Sequence, residues 1–319
     1  MNITVQDFTG IYDYQPFMQE LREKAAKSAG IHWLDCTKIV GTDCYCDDDA
    51  IKEINDLIDN AERSSKGINV SNSVNNSINN CTETVPQIHF FDNGNYHHMS
   101  KLWTDRIQEP FSLIVFDHHP DMQPPRFGGI LSCGGWVLEV LKSNAFVQNV
   151  IIIGVKDELV ETVREELSQS GDANILEKVT FIKKSELNTL SFQSSLSSLT
   201  PSASGAAVRS YQQINLPLRH SPGSLLVSRL SSQHSLYLSI DKDALAPAYA
   251  ATNWDQGSLS TEALKATIAD LAANHKIIGI DICGERSHDF EGSEQHTIQE
   301  ADAINNNLNR ELFDFLQKL

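Results

Sequence analysis

Two short runs of the chain place carboxylates directly after apolar segments, and the first run adds two imidazoles. Residues 116–121 read FDHHPD and follow the apolar stretch 111–115. Residues 239–243 read SIDKD and follow the apolar stretch 235–238. Carboxylate and imidazole groups are ligands for Mn²⁺, Zn²⁺ and Fe²⁺, and a set richer in Asp than in His, without a thiolate, favours Mn²⁺. The two runs therefore predict a metal site.

Each apolar segment is predicted to be a buried strand that delivers its polar run to one edge of a sheet. Side chains alternate along an extended chain, so Asp117, His119 and Asp121 are expected on one side and His118 on the other. Asp241 and Asp243 have the same spacing of two. Open α/β sheets place their sites at the carboxyl ends of parallel strands, which is where these acids and imidazoles would meet.

The rest of the chain alternates predicted strands with predicted helices. Strands are predicted at 87–91, 150–155, 178–182 and 276–282, and helices at 158–168, 261–274 and 300–318. This alternation predicts an α/β protein whose parallel sheet is covered on both faces. We interpret residues 1–319 as one domain with polar insertions near 64–84, which is rich in Asn, and near 191–232, which is rich in Ser.

Composition narrows the classes of partner. The formal net charge is −17, and no cluster of Lys and Arg offers a surface for phosphates, so nucleic acid is not an expected partner. No window approaches 18 consecutive apolar residues and the first ten residues do not resemble a secretory signal, so we expect a cytoplasmic protein without a membrane segment. The six cysteines show no CxxC pair, and Cys44 and Cys46 are interpreted as reduced structural thiols, with binding of a soft metal as the alternative.

The polar runs resemble the metal-site motifs of the arginase/agmatinase (ureohydrolase) superfamily, which are written GGDH, DxHxD and SxDxD in chain order. Residues 117–121 fit the second motif and residues 239–243 fit the third. Residues 94–97, GNYH, resemble the first motif with its middle Gly and its Asp replaced, and register favours His97 over His98 as the ligand. Residues 257–260, GSLS, resemble a further family segment, Gly-Gly-Leu-Ser/Thr.

The resemblance implies a three-layer α/β/α fold with a central, mostly parallel sheet and a site for two divalent ions, Mn²⁺ being favoured. The implied ligands are His97, Asp117, His119, Asp121, Asp241 and Asp243. Asp117 and Asp241 would bridge the two ions, and a metal-bridging hydroxide would attack the central carbon of the substrate. The implied activity is hydrolysis of a C–N bond in a small guanidino, amidino or amide compound, and relatives of this fold often form homo-oligomers.

Three further residues are candidates for catalysis. Cys133 stands where the family has a His that shuttles protons; a helix start there would lower its pKa, and the alternative is a packed small residue. Glu285 follows the last strand four residues beyond Asp281, where the family has a substrate-binding Glu three residues beyond an Asp. The alternative is a salt bridge to Arg286 or to a neighbour. His98 is the third candidate, with a structural role as the alternative.

Two rival functions share the metal-binding prediction. A metal-dependent phosphoesterase uses similar ligands, and Arg126 and Lys242 are the basic residues near the motifs that could bind phosphate. A family relative that has lost turnover would keep the ligands while binding or scaffolding another molecule. The altered first motif and Cys133 favour this second rival.

Overall fold

The computed structural model describes residues 2–28, 30–65, 86–125, 128–187, 230, 234–292 and 295–319. The predicted insertion near 64–84 lies outside the described residues from position 66 onward, and the insertion near 191–232 lies outside them except for residue 230. Cys81 and Arg126 also lie outside them.

Eight parallel strands form the central sheet. They are β1 Asn2–Asp7, β2 Ile31–Asp35, β4 Gln87–Phe90, β5 Phe111–Phe116, β7 Val147–Val155, β8 Val179–Lys183, β9 Ser235–Asp241 and β10 Ile277–Cys283. Their order across the sheet is β2-β1-β4-β10-β9-β5-β7-β8. Two further short strands, β3 Tyr45–Cys46 and β6 Leu131–Ser132, form an antiparallel pair outside this sheet.

Seven helices accompany the strands among the described residues. They are α1 Pro16–Ala25, α2 Asp48–Ser65, α3 Met99–Thr104, α4 Trp136–Ser143, α5 Asp157–Ser170, α6 Thr261–Asn274 and α7 Ile298–Leu316. Ser260 is the N-cap of α6, because its side chain accepts a hydrogen bond from the backbone of Ala263. No described helix combines the length and apolar character that crossing a membrane requires.

Two hydrophobic cores, one on each face of the sheet, produce the three-layer arrangement. Buried residues of α1, α6 and α7 pack against Ile114 and Phe116 of β5 on one face. Buried residues of α2, α3, α4 and α5 pack against Leu113 and Val115 on the other face. Because successive side chains of a strand point to opposite faces, a strand covered on both faces is buried along its whole length and mostly apolar, as β5 is. The predicted three-layer α/β/α fold is confirmed.

Strand order brings the two polar runs together. β5 and β9 are adjacent and parallel, with Phe116 opposite Ile240 in the register. Asp117 directly follows β5 and Asp241 is the last residue of β9, so their carboxylates meet at the carboxyl edge of the sheet. β4 lies on the far side of β10 and leads through a turn to His97.

Candidate metal centre

His97 lies at the centre of three carboxylates. Its Nδ1 is 3.0 Å from Asp121 Oδ2, 3.3 Å from Asp117 Oδ2 and 3.4 Å from Asp241 Oδ2. All four side chains are buried. The motif register that favoured His97 over His98 agrees with this placement.

A second group forms around His119. Its Nδ1 is 2.8 Å from Asp243 Oδ2 and 3.6 Å from Asp117 Oδ1. Ligand atoms of Asp117, His119 and Asp243 all lie within 4.8 Å of one another, and the same holds for His97, Asp117 and Asp121. Asp117 belongs to both groups, with Oδ2 toward His97 and Oδ1 toward His119.

The donor set fits divalent cations better than it fits protons. A single N–H on His97 can donate to one acceptor at a time, yet three carboxylate oxygens lie within 3.4 Å of its Nδ1. Asp117 Oδ2 is buried and has no hydrogen-bond partner. A buried carboxylate without compensation is costly, and a cation supplies that compensation. Two carboxylate-rich groups that share one Asp are suited to a pair of ions.

Electrostatics point the same way. Burial, reinforced by the charges of Asp243 and Asp117, raises the pKa of Asp241 to about 7. Burial, reinforced by the charge of Asp117, raises the pKa of Asp243 to about 6. Like charges that are brought together out of water resist ionisation, so the raised pKa values reflect the crowding of buried carboxylates in this cluster.

Neighbouring side chains hold the candidate ligands in orientation. His97 Nε2 lies 2.8 Å from Ser239 Oγ, and the Ser239 hydroxyl donates to Asp281 Oδ1 at 2.6 Å. The indole N–H of Trp136 donates to Asp121 Oδ2 at 2.8 Å. His119 Nε2 lies 2.9 Å from Asp255 Oδ1. Partners of this kind fix the ring orientation of histidines that bind metals.

A cavity of about 220 Å³ opens onto the two groups. Its lining combines the acidic cluster with thiol, amide and aromatic side chains: Cys44, Tyr45, Gly94, Asp117, His119, Asp121, Gln123, Ser132, Cys133, Gly134, Asp241, Asp243 and Trp254. Gly94 permits a close approach, since a Cβ there would lie 2.9 Å from the Trp254 ring and 3.2 Å from Asp241 Oδ2. None of these described lining residues is Lys or Arg.

The structure corrects the reason why the run 117–121 converges. β5 ends at Phe116, so the run is a loop rather than a continuation of the strand. Asp121 has a positive φ of 48°, which is uncommon for a residue other than Gly, and this turn brings its carboxylate back to His97. His118 points elsewhere, as expected, with Nδ1 3.1 Å from the carbonyl oxygen of Gly154.

Cys133 lies in the cavity wall, but its expected activation by a helix start is wrong. It begins a short 3₁₀ turn before α4. A hydrogen bond with the Cys44 thiol and burial raise its pKa instead of lowering it. Cys133 therefore keeps its proton at neutral pH.

Glu285 does not reach the cavity. Its carboxylate is fully buried, forms an ion pair with Lys242 and accepts hydrogen bonds from Gln15 and Asn309 at 2.9 and 2.8 Å. The alternative of a salt bridge is observed, with Lys242 as the partner. Gly284, with φ of 96°, redirects the chain just after β10.

His98 is also placed outside the cavity. It is fully buried, neither ring nitrogen has a hydrogen-bond partner, and burial lowers its pKa to about 3. This environment agrees with the structural alternative, a neutral imidazole that packs beside the site.

Sequence reasoning did not identify several residues that shape the site. Asp255 and Trp254 come from the loop after the third motif, and no local pattern assigns them to the site. Ser239 could have been found, because it precedes Asp241 by two positions and so shares its side of β9.

Comparison by sequence gives one distant relative and no family. No protein-family model matches the chain. An uncharacterised protein of Thermotoga maritima is 26% identical over 196 residues, which is 61% of this chain. The matched segment spans 57% of that relative's length.

Comparison by structure gives a consistent fold. Agmatine ureohydrolase of Thermoplasma volcanium superposes with a TM-score of 0.55 at 12% identity, covering 99% of this chain and 89% of that one. Arginase of Bacillus caldovelox gives 0.54 at 13%, covering 96% and 97%. Formimidoylglutamase of Bacillus subtilis gives 0.54 at 10%, covering 99% and 86%. The chain therefore has the arginase-like fold implied by its motifs, at low sequence identity.

Proposed function

We propose that this protein is a hydrolase that uses two divalent metal ions, Mn²⁺ being favoured, to cleave a C–N bond in a small guanidino, amidino or amide compound. The observation that carries the proposal is the position of Asp117, whose two carboxylate oxygens face two different histidines, each within a separate group of acids. The likeness in fold to an arginase, an agmatine ureohydrolase and a formimidoylglutamase supports the type of reaction.

The ligands divide between the two ions in the proposal. One ion would be held by His97, Asp117, Asp121 and Asp241, and the other by Asp117, His119, Asp241 and Asp243. Cys283 lies close to Asp241, but burial raises its pKa well above the usual thiol range, so it remains a thiol that donates to Asp241 Oδ2 at 3.3 Å. When bound, such a pair of ions lowers the pKa of water and stabilises developing negative charge.

The protein's own side chains supply positioning and protons. Ser239, Trp136 and Asp255 hold three of the ligands in place through the contacts given above. The departing nitrogen needs a proton, and Cys133 is our candidate to hold one in the cavity wall. A thiol whose pKa is raised is a weaker acid than the imidazolium form of a histidine, so we expect slow turnover, rising when Cys133 is replaced by His.

Substrate size and charge follow from the cavity. A volume of about 220 Å³ admits only a small molecule. Glu285 is neutralised by Lys242 and cannot also pair with a guanidinium, so recognition of the substrate is assigned to groups that line the cavity, Gln123 among them. This arrangement favours an amidine or amide over a guanidinium that requires its own carboxylate.

A phosphoesterase is less well supported. Lys242 is buried against Glu285, and no Lys or Arg is among the described lining residues, so the described part of the cavity offers no cation for a phosphate. The rival without turnover rests on Cys133 and on the altered first motif. A cytoplasmic location and assembly into a homo-oligomer stay predictions.

The test is an assay of the metal-loaded protein against a panel of substrates. The chain is stripped with a chelator, reloaded with Mn²⁺ and incubated with arginine, agmatine, formimidoylglutamate, a simple amide and a generic phosphoester. We expect urea or ammonia from the wild type and none from Asp241→Asn. Phosphate release without urea or ammonia would reject the proposal in favour of the phosphoesterase, and Mn²⁺ binding without any product would favour the relative that lacks turnover.

A further inference from the structure

The two short strands outside the main sheet place two cysteines opposite each other. β3 and β6 pair antiparallel with Tyr45 opposite Ser132. The next pair in this register is Cys44 and Cys133, and the backbone N–H of Cys133 donates to the carbonyl oxygen of Cys44 at 2.9 Å. Residues opposite each other on antiparallel strands have Cβ atoms about 4.5–5.5 Å apart, close to the ~3.5–4.5 Å of a disulfide.

The two thiols are in contact and face the cavity. They hydrogen-bond each other, and both cysteines line the cavity beside the acidic cluster. Cys44 is half-buried and Cys133 is buried, so the pair is reachable through the cavity mouth. Cys44 also adopts a positive φ of 58°. Residues other than Gly seldom adopt this conformation, and such strain clusters at functional sites.

We propose that Cys44 and Cys133 form a reversible redox site in the cavity wall, which a small peroxide oxidises to a disulfide across β3 and β6. The site goes beyond the hydrolytic function and does not require it. Its basis is the cross-strand register, the contact between the thiols and their shared exposure to the cavity.

The chemistry balances with hydrogen peroxide as the oxidant. The Cys44 thiolate attacks one peroxide oxygen, which gives a sulfenic acid and one water molecule. The Cys133 sulfur then displaces hydroxide from that sulfenic acid, which forms the S–S bond and a second water molecule. Two thiols lose two electrons and two protons in total, and a dithiol such as dithiothreitol reverses the reaction.

Cys44 is the better first nucleophile of the pair. The hydrogen bond from the Cys133 thiol lowers the pKa of Cys44. Burial raises the pKa of Cys36 and of Cys46 to about 12, so both stay protonated and slow to react. Oxidation is therefore expected to select Cys44 and Cys133 over these two cysteines.

The test is peptide mapping after mild oxidation of the folded, full-length chain. The protein is treated with one equivalent of hydrogen peroxide, its remaining thiols are alkylated, and it is digested with trypsin and analysed by mass spectrometry. We expect the peptides 39–52 and 127–142 to be joined with the loss of two hydrogen atoms, and dithiothreitol to separate them.

Matched variants assign the sulfur atoms. Peptide 39–52 contains both Cys44 and Cys46, so Cys46→Ser should keep the cross-link while Cys44→Ser and Cys133→Ser abolish it. Cys81→Ser should also keep it. The proposal is overturned if folded wild type retains all its thiols under these conditions, if the cross-link survives in Cys44→Ser, or if oxidation stops at a sulfinic acid that dithiothreitol does not reverse. Circular dichroism of each variant before oxidation verifies that it is folded.

Discussion

Buried charge is compensated differently in the acidic cluster at the cavity and in the ion pair of Lys242 with Glu285. Lys242 lies between Asp241 and Asp243 in the chain, but its side chain points away from theirs to the carboxylate of Glu285, where Gln15 and Asn309 complete the hydrogen bonding. That pair is neutral within the protein. The four Asp residues of the cavity outnumber their two histidines, and Asp117 Oδ2 has no hydrogen-bond partner. The protein thus neutralises one buried acid itself, whereas the other buried acids exceed the histidines beside them and fit the proposed cations.

The largest effect is expected from Asp241→Asn. Asp241 belongs to both proposed ion sites, so its replacement removes a shared charge. We expect Mn²⁺ binding to weaken by more than about 100-fold, which exceeds the usual effect of replacing a residue that only orients a ligand. Titration calorimetry of the chelator-stripped protein measures this. Mn²⁺ affinity equal to that of the wild type would contradict the ligand assignment.

Lys242→Met should destabilise the fold rather than the metal site alone. It leaves Glu285 as a buried, unpaired carboxylate, which costs about 3–5 kcal/mol of unfolding free energy. The double variant Lys242→Met with Glu285→Leu should recover most of that loss, because no charge remains buried. Urea denaturation of both variants checks this, and a double variant as unstable as the single one would show that the pair does more than compensate charge.

When metal is absent, removing a carboxylate from the acidic cluster should stabilise the fold, which is the opposite of the effect expected for Lys242→Met. Burial raises the pKa of Asp243 to about 6 from 3.8, so ionised Asp243 costs stability above pH 6 and the cost fades as the pH falls toward 4. In chelator, Asp243→Asn should raise the unfolding free energy at pH 8 by about 3 kcal/mol, and by roughly half of that at pH 5. Urea denaturation at both pH values measures it, and a destabilised variant at pH 8 would show that the cluster is not short of positive charge.

Ser239→Ala tests the supports of the ligands. It removes the hydroxyl that joins His97 to Asp281, and we expect Mn²⁺ affinity to fall by about 10–100-fold. Calorimetry against the folded Ser258→Ala variant as a control separates this from a general effect of losing a serine. An unchanged affinity would mean that the packing of His97 alone fixes its ring.

The smallest effect is expected at the cavity rim. Asp255 is more than half exposed and also contacts Lys156, so solvent screens its interaction with His119. Asp255→Asn should weaken Mn²⁺ binding by less than about tenfold, and salt should reduce the difference from the wild type. A loss of Mn²⁺ affinity as large as that of Ser239→Ala would show that Asp255 matters as much for ligand orientation as the buried Ser239 does.

The fold could be predicted from the sequence, and the six candidate ligands could be proposed from it, because both inferences rest on local patterns. The apolar segments that form β5 and β9 are recognisable as strands from their composition, and acids two residues apart share one side of an extended chain. The strand β1 was not predicted, although its residues are apolar at alternate positions. The helix α7 was predicted within two residues of its bounds.

What escaped prediction depends on contacts between distant segments. The partner of Glu285 is Lys242, which is 43 residues away and comes from the neighbouring strand end, and the partner of Cys133 is Cys44. A local pattern cannot state which segments meet. The same limit applies to Asp121, whose positive φ rather than strand alternation directs its carboxylate.

Crystals of the protein grown with Mn²⁺ and measured at the manganese absorption edge test the metal centre most directly. We predict two anomalous peaks roughly 3.5–4 Å apart, both among the six candidate ligands, with Asp117 touching each. The absence of any peak in this cluster while Mn²⁺ binds elsewhere on the chain would contradict the proposed site and the hydrolytic function built on it.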